Sequence, residues 1–392
     1  MPLDHERLAS VKQAMAQEQL DALVCRLPEN VLLLSGHWPL AGMTFLYFPV
    51  DGTPLCVMPH CDEREAREEL RAMDCVTYTH AVLGCENPYE AVAKAFKKAI
   101  RGRRPSRVGF ENGFECVAAA WNTAEACVPA SATRAMLESV FRKKVLVDAT
   151  DLFYGLRARK TAREQEQLRR ANEISALGLN AFRKMVAPGI SGIELLAHVE
   201  QAIMIQGTGY KGARRVRAFA QVATGAAETA IGYRPMEITT TRKLAPGDLA
   251  LLELGVVADG YWSDRTRVCA AGHPTPLQAR VFETVSNAQK AAIAAIKPGV
   301  KTAVVDEAAR AIIRSAGYDK EFLHVTGHGL GFRYHEPVPL ICPGGETVLA
   351  EGMVHSIEPG VYFPELGGIR IEDDILVTAT GTEVMGPCEA HL

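Results

Sequence analysis

The sequence lacks the features of membrane proteins and of disulfide-built proteins. No apolar run approaches the roughly 18 residues that a membrane-spanning helix needs, because charged residues, glycine or proline interrupt every hydrophobic stretch. The first residues mix charged and apolar positions at helical spacing, which is typical of an amphipathic helix and not of a signal peptide. The ten cysteines are scattered over the chain without a CxxC pair, which favours reduced thiols. We therefore predict a cytoplasmic protein without a membrane partner.

Net charge is also small. The sequence has 43 basic and 46 acidic residues, and its formal net charge is −3, so there is no excess of positive charge to attract nucleic acid. The composition, 48% hydrophobic and 23% charged, is typical of a globular protein. A chain of 392 residues is longer than a single domain with one hydrophobic core usually is, so we predict two domains.

The first predicted domain, residues 1–156, alternates short apolar segments with helical stretches. The segments at 20–27, 43–50, 55–59 and 107–111 have the composition of strands, and Asn87-Pro88 is a typical start for a helix that continues to about Ile100. This alternation predicts an α/β domain. Its histidines lie apart in the sequence without a partner pattern, and we interpret them as packing or surface residues: His37, His60 and His80.

The second predicted domain, residues 157–392, begins where a basic stretch meets the capping box of Thr161 and Glu164. A helix then ends at Pro188-Gly189, and a second one ends near Gly207. The same landmarks recur 110 positions later, at Pro298, Gly299 and Gly317. Proline-glycine is also a common helix stop, but three landmarks at one offset favour an internal duplication. We predict two similar α+β halves with a cleft between them.

Two carboxylates follow the first helix pair. Two strand-like segments are joined at Asp259-Gly260, a strong hairpin dipeptide. Glu253 and Asp264 are eleven positions apart across this turn, so both side chains are predicted on one face of the hairpin. A buried carboxylate needs a partner. The sequence alone leaves two partners open, a shared cation or salt bridges to Arg265 or Arg267.

Further candidate ligands follow the second helix pair. His328 lies between Gly327 and Gly329, which permit close approach of the backbone to a ligand, and His335 follows seven residues later. Glu358 and Glu372 lie in apolar, strand-like segments. Several buried acids and one imidazole require a cation. Because there are enough carboxylates for some of them to bridge two ions, we predict two divalent metals about 3.5–4 Å apart.

The chain contains, in this order, Glu253, Asp264 eleven residues later, GHGLG, HEP, IEPG and RIED. This order of motifs resembles that of the pita-bread metallohydrolases. This family includes methionine aminopeptidase, aminopeptidase P and prolidase. The resemblance covers essentially the whole chain. The full N-terminal domain and the ending GGIRIEDDILVT make it most similar to the proline-specific branch.

The resemblance implies a creatinase-like N-terminal domain, a pita-bread C-terminal domain with a pseudo-twofold duplication, and hydrolysis of Xaa-Pro bonds in short peptides by a metal-bridging hydroxide. Manganese is the implied metal, with zinc or cobalt as alternatives, and a homodimer is the implied assembly.

The resemblance also implies a role for each site residue. His328 and Glu358 would bind one metal, Glu253 the other, and Asp264 and Glu372 would bridge them. Glu358 would also carry the proton of the hydroxide, and His335 and Arg370 would orient substrate and stabilise the tetrahedral intermediate.

Two positions depart from the family pattern. The family has aspartate at position 253, where this chain has Glu253, and a histidine at position 232, where this chain has Gly232. These departures keep two other interpretations open: a C–N hydrolase acting on a small amide, as in ectoine hydrolase or creatinase, and a non-catalytic peptide-binding domain. Creatinase relies on the histidine that is absent here, which disfavours a creatinase-like reaction.

Overall fold

A computed structural model describes residues 4–39, 41–80, 82–101, 105–112, 130–142, 145–234, 239–386 and 388–392. The chain divides into two compact units, Met1–Arg157 and Ala158–Leu392. Among the described helices, none combines the length and the apolar character that crossing a membrane requires.

The N-terminal unit is built on a mixed sheet with strand order β4-β3-β2-β1-β5-β6. The β1–β5, β5–β6 and β3–β4 pairs are parallel, and the β1–β2 and β2–β3 pairs are antiparallel. The predicted α/β class is confirmed. Its elements in chain order are α1 (His5–Gln17), β1 (Ala22–Cys25), α2 (Pro28–Ser35), β2 (Phe45–Pro49), β3 (Leu55–Pro59), α3 (Glu63–Glu69), β4 (Asp74–Tyr78), α4 (Pro88–Ala99), β5 (Val108–Phe110), α5 (Ala130–Val140), β6 (Leu146–Asp148) and α6 (Thr150–Ala158), the last of which runs one residue past the division.

Local sequence explains several of these elements. Asn87 caps α4 by accepting a hydrogen bond from the Tyr89 N–H, and Pro88 occupies the first turn, where its missing N–H costs nothing. The apolar side chains of β1, β2 and β3 are buried, so these strands form the centre of the core. His37 is fully buried, and its Nδ1 lies 2.6 Å from Oε2 of Glu69. It is a packing residue with a charged partner.

The C-terminal unit contains two antiparallel sheets, β7-β8-β9 and β11-β10-β12-β15-β16, and the β13–β14 hairpin. The predicted α+β class is confirmed. Its elements are α7 (Ala162–Met185), α8 (Gly192–Ala202), β7 (Val216–Thr224), α9 (Gly225–Thr229), β8 (Leu249–Ala258), β9 (Tyr261–Ala270), α10 (Pro276–Ala295), α11 (Thr302–Ser315), β10 (Gly327–Gly329), β11 (Glu336–Ile341), β12 (Val354–Ile357), β13 (Gly360–Phe363), β14 (Gly367–Arg370), β15 (Asp373–Val377) and β16 (Thr382–Val384).

The backbone repeats itself within this unit. Gly189 and Gly299 follow the first helix of each pair with φ of 91° and 88°, a conformation that glycine adopts without strain. Each donates a 2.8 Å hydrogen bond to a leucine carbonyl, Leu244 in the first half and Leu349 in the second. Each of these leucines returns a 2.8 Å bond to the residue after its glycine. The two halves therefore share the same backbone hydrogen bonds, as the predicted internal duplication requires.

Two hydrophobic cores flank the β8–β9 hairpin. Leu252 and Leu254 of β8 belong to the core formed with α7 and α8. Leu249 and Leu251 belong to the core formed with α10 and α11. Because successive strand residues point to opposite faces, the odd-numbered Glu253 lies on the face of Leu251, toward the second half of the unit. The site residues are thus held between the two halves.

Candidate metal site

The β8–β9 hairpin positions two of the predicted ligands. Asp259 and Gly260 both have positive φ, 50° and 94°, as a two-residue type I′ turn requires. The register pairs Glu253 with Thr266 and Gly255 with Asp264, so the two carboxylates are diagonal neighbours on one face. The predicted hairpin and the shared face are both confirmed.

The second half supplies the other candidates. His328 lies on β10, Glu358 directly follows β12, and Glu372 lies between β14 and β15. Ligand atoms within 4.8 Å of one another form three overlapping sets. These sets are Glu253, Asp264 and Glu372; His328, Glu358 and Glu372; and Asp264, His328 and His335. The structure therefore brings together every residue that the sequence predicted as a metal ligand.

His328 is oriented by its own strand. Its Nδ1 lies 3.0 Å from the Gly329 carbonyl oxygen, which can only accept, so Nδ1 is the donor of this bond and Nε2 is directed into the site. Nε2 lies 3.3 Å from Glu358 Oε1 and 3.4 Å from Asp264 Oδ2. This orientation is the one that a metal-binding imidazole needs.

The glycines beside His328 allow close packing of the neighbouring strands. A Cβ at Gly327 would lie 2.0 Å from the Ser356 carbonyl oxygen, and a Cβ at Gly329 would lie 2.2 Å from that of Val338. The absence of a side chain at these positions therefore admits the backbone of β12 and β11. Approach of a ligand at these glycines stays a prediction.

The acids of the site are buried close to one another, which disfavours their charged forms. Burial raises the pKa of Asp264 well above its ordinary value, and the charges of Glu253 and Glu358 raise it further. Burial, followed by the charges of Asp264 and Glu358, raises the pKa of Glu372 well above its ordinary value. Burial also raises the pKa of Glu358, against the opposing charge of His328.

Several acceptor atoms in the site have no protein donor. Within the described part of the chain, both carboxylate oxygens of Asp264 and Oε1 of Glu372 are buried without a hydrogen-bond partner. A buried carboxylate left in this way is costly unless it is neutralised or binds a cation. Three carboxylates and one imidazole Nε2 suit a hard or borderline divalent ion. These residues therefore fit a metal.

Glu253 differs from the other acids because both of its oxygens accept hydrogen bonds. Tyr334 donates to Oε1 at 2.7 Å, and the Arg370 guanidinium forms a close ion pair with Oε2. The salt bridges considered from sequence do not form, since Arg265 and Arg267 both pair with Asp373 on the other side of the strands.

The two predicted substrate-orienting residues also lie at the site. Arg370 is buried, and it donates to Thr266 Oγ1 at 3.0 Å and to the Gly232 carbonyl at 2.8 Å. His335 Nε2 lies 3.8 Å from Asp264 Oδ2, and its ring centroid is 4.3 Å from that of His328. Burial and the neighbouring His328 lower the pKa of His335 well below its ordinary value, so its imidazole is neutral at pH 7.

Sequence reasoning missed the residues that hold these side chains. Thr266 donates to Glu372 Oε2 at 2.7 Å, and Ser356 donates to Glu358 Oε1 at 3.1 Å. Tyr362 accepts from Arg370 at 2.9 Å, and Tyr334 holds Glu253. Strand alternation from the predicted ligands could have found Thr266 and Ser356, each two positions from an acid. Nothing in the sequence pairs Tyr334 with Glu253.

A cavity of about 100 Å³ opens beside the site. It follows the face of β7 and β8 that carries Glu253, and its wall includes Gln221, Glu228, Leu251 and Gly232. Gly232 is the position where the resemblance implies a histidine. A Cβ there would lie 3.1 Å from the Thr229 carbonyl oxygen and 3.6 Å from Leu251. The cavity leaves room for a side chain at position 232, although its Cβ would be in tight contact with the Thr229 carbonyl oxygen.

Comparison with known proteins agrees with this architecture. Residues 166–379 match metallopeptidase family M24, and residues 7–159 match the creatinase/prolidase N-terminal domain. The chain is 31% identical to an Xaa-Pro dipeptidase of Pyrococcus furiosus over 99% of both chains, and 31% identical to an Xaa-Pro dipeptidase of Lactobacillus delbrueckii over 84% of this chain and 82% of the relative.

The fold is also that of solved relatives. The crystal structure of a prolidase from Pyrococcus horikoshii superposes with a TM-score of 0.80 and 28% identity, covering 99% of this chain and all of the relative. The predicted combination of a creatinase-like N-terminal domain and a pita-bread C-terminal domain is confirmed. The chain belongs to metallopeptidase family M24.

Proposed function

We propose that the chain hydrolyses the bond between a residue and a following proline in short peptides, as a metal-dependent Xaa-Pro dipeptidase or aminopeptidase. The observation that carries the proposal is the set of buried acceptor atoms without a protein donor beside His328 Nε2. These atoms lie in a chain whose relatives are titled Xaa-Pro dipeptidase.

The proposed metal ligands are those predicted from the sequence. Asp264, His328, Glu358 and Glu372 would form the main site, and Glu253 would contribute to a second site with Asp264 and Glu372. When bound, divalent metal would make hydroxide available near neutral pH and polarise the scissile carbonyl. Manganese and a homodimer stay predictions from the resemblance, and a cytoplasmic location stays a prediction from the composition of the sequence.

The other residues would position the substrate and move its protons. Ser356 holds Oε1 of Glu358, and we assign the other oxygen, Oε2, to taking the proton of the attacking water and giving it to the leaving amine. His335 is neutral, so it can hydrogen-bond the peptide without adding charge. Arg370 supplies positive charge beside the carboxylates, where negative charge develops on the carbonyl oxygen.

A dipeptide panel with elemental analysis tests this proposal. The purified chain is expected to contain divalent metal and to cleave Xaa-Pro dipeptides with a kcat/KM at least about tenfold above that for matched Xaa-Ala dipeptides. A chelator should remove the activity, and added Mn²⁺ should restore it. Turnover of a small amide by metal-free protein would favour the C–N hydrolase interpretation, and absence of both metal and turnover would favour a binding domain.

The cavity at Gly232 motivates a separate prediction. If turnover is limited by the absent imidazole, Gly232→His should raise kcat on an Xaa-Pro dipeptide without changing metal content. Gly232→Ala is the matched control, because it adds the Cβ that meets Thr229 but no imidazole. Lower kcat in a normally folded Gly232→His, with no loss in Gly232→Ala, would mean that the cavity receives part of the substrate.

A further inference from the structure

Asp264 is held in place through its main chain as well as by its hairpin. Strand β9 lies at the edge of the β7-β8-β9 sheet, so the N–H groups on its outer side need partners from elsewhere. The Trp262 N–H donates to the Gly331 carbonyl at 2.7 Å. The Asp264 N–H donates instead to a side-chain oxygen, Oδ2 of Asp374, at 3.1 Å. A carboxyl group of β15 therefore takes the place of a strand partner at a proposed metal ligand.

Asp374 is itself anchored by the first helix of the C-terminal unit. The same Oδ2 accepts a second hydrogen bond, from Nδ2 of Asn172 on α7, at 2.8 Å. That amide also donates to the Leu168 carbonyl at 3.1 Å, and the side chains of Asn172 and Asp374 are both fully buried. One oxygen atom of Asp374 thus joins α7, β9 and β15.

The segments that carry Asp264 and Glu372 hold each other in a reciprocal way. Thr266, two residues after Asp264, donates to Oε2 of Glu372 at 2.7 Å. Asp374, two residues after Glu372, accepts the hydrogen bond of the Asp264 N–H. Between these two contacts, the Glu372 N–H donates to the Thr266 carbonyl at 3.2 Å. The separation of the two proposed ligands therefore depends on the residue that follows each of them by two positions.

We propose that Asp374 is a positioning residue of the metal site, and that the hydrogen bonds from Asn172 and Asp264 to its Oδ2 form a brace that fixes Asp264 relative to Glu372. The inference rests on the proposed metal site. Asp374 belongs to none of the sets of ligand atoms found among the described residues, so it acts through the main chain of Asp264. Metal–ligand distances tolerate changes of only about 0.2 Å, which makes a small shift of β9 sufficient to weaken binding.

Mn²⁺ titration of the full-length protein compares two substitutions at this position by isothermal titration calorimetry. Asp374→Ala removes the acceptor, and we expect the Kd of Mn²⁺ to rise about 10- to 100-fold, the usual cost of losing an outer hydrogen-bond partner. Asp374→Asn keeps one acceptor oxygen, which can face both donors. Its Nδ2 would then take the place of Oδ1, an atom without a hydrogen-bond partner in the described part of the chain. This variant should bind Mn²⁺ nearly as tightly as wild type.

Substitutions on α7 test the anchor of the brace. Asn172→Ala should weaken Mn²⁺ binding less than Asp374→Ala does, and it should have no further effect in an Asp374→Ala background. Ser175→Ala is the matched control, because Ser175 is a buried polar residue of the same helix whose hydroxyl has no partner among the described residues. Its Kd should equal that of wild type. Thermal melting of each variant checks that the fold is retained.

Hydrogen exchange on the metal-free protein tests the brace without any ion. The Asp264 amide is the donor in the brace, so its exchange should be at least about tenfold faster in Asp374→Ala than in wild type. In Asp374→Asn the exchange rate should be unchanged. Residue-resolved exchange by nuclear magnetic resonance measures both variants.

Three results would overturn the inference: equal Mn²⁺ affinity in wild type and Asp374→Ala, equal losses in Asp374→Ala and Asp374→Asn, or unchanged exchange at Asp264 in Asp374→Ala. Equal losses would assign the effect to the charge of Asp374 and not to its hydrogen bonds. Absence of Xaa-Pro hydrolysis with the expected affinities and exchange rates would reject the proposed activity and leave the brace standing. Absence of metal binding by wild type would reject the proposed metal site, and the exchange rate at Asp264 would then decide the brace alone.

Discussion

His328→Ala is expected to lose the tightly bound metal and to lower kcat/KM on an Xaa-Pro dipeptide by about 10³-fold or more. The reason is that Nε2 of His328 is directed between Asp264 and Glu358, and a hydrogen bond on the opposite ring nitrogen holds it there. Lewis-acid activation supplies several kcal/mol of transition-state stabilisation, and each 1.36 kcal/mol is tenfold in rate.

His335→Ala is the matched comparison, since this imidazole is tilted against that of His328 but lies farther from the carboxylates, 3.8 Å from Asp264. This variant should keep its tight metal and lose turnover. Elemental analysis after gel filtration, paired with steady-state kinetics, distinguishes the two histidines. Equal metal content in both variants would reject the assignment of His328 as ligand and His335 as substrate contact.

Asp264→Asn is expected to raise the stability of the metal-free protein and to abolish its peptidase activity. In the absence of metal, wild type contains a buried carboxylate whose two oxygens have no hydrogen-bond partner among the described residues. Asparagine removes that charge at constant size, so the metal-free variant should be more stable than metal-free wild type by about 1–2 kcal/mol. Metal binding and peptidase activity should be lost, because a proposed metal ligand is missing.

Metal addition provides the second half of this measurement. A ligand at one hundred times its Kd stabilises the folded state by about 2.7 kcal/mol, so Mn²⁺ should raise the melting temperature of wild type but not that of Asp264→Asn. Differential scanning calorimetry with and without Mn²⁺ measures both effects.

The control for this substitution is Asp373→Asn, at an aspartate that is paired with Arg265 and Arg267. Removing one partner of a buried ion pair costs about 3–5 kcal/mol, so this variant should be less stable with or without metal. If Asp264→Asn and Asp373→Asn lost similar stability in the metal-free state, the carboxylate of Asp264 would have a structural partner and would not be held ready for a metal.

Sequence periodicity predicted the parts of the fold that local chemistry determines. The Asp259-Gly260 turn fixes the hairpin register, and the register places Glu253 and Asp264 on one face. The Pro-Gly landmarks at one spacing indicated the duplication because each half needs the same backbone stop after its first helix. Strand β4 was missed because its residues are partly exposed, which removes the apolar signal from which a strand is predicted.

Contacts between distant residues could not be predicted in this way. The pairing of Arg370 with Glu253 joins residues 117 positions apart, and that of Tyr334 with Glu253 joins residues 81 positions apart. Both depend on the packing of the two halves, which no local pattern encodes. The salt bridges considered from sequence do not form for a local reason, since strand alternation points Arg265 and Arg267 away from the site and toward Asp373.

The ligand set draws on both halves of the duplicated unit, and this gives metal binding a mechanical meaning. Glu253 and Asp264 belong to the hairpin of the first half, whereas His328, Glu358 and Glu372 belong to the second. A bound ion would therefore cross-link segments about one hundred residues apart, and closing a loop of that length in the unfolded chain is entropically costly. Metal affinity would then report how accurately the halves are assembled, including the effect of substitutions in either core that touch no ligand.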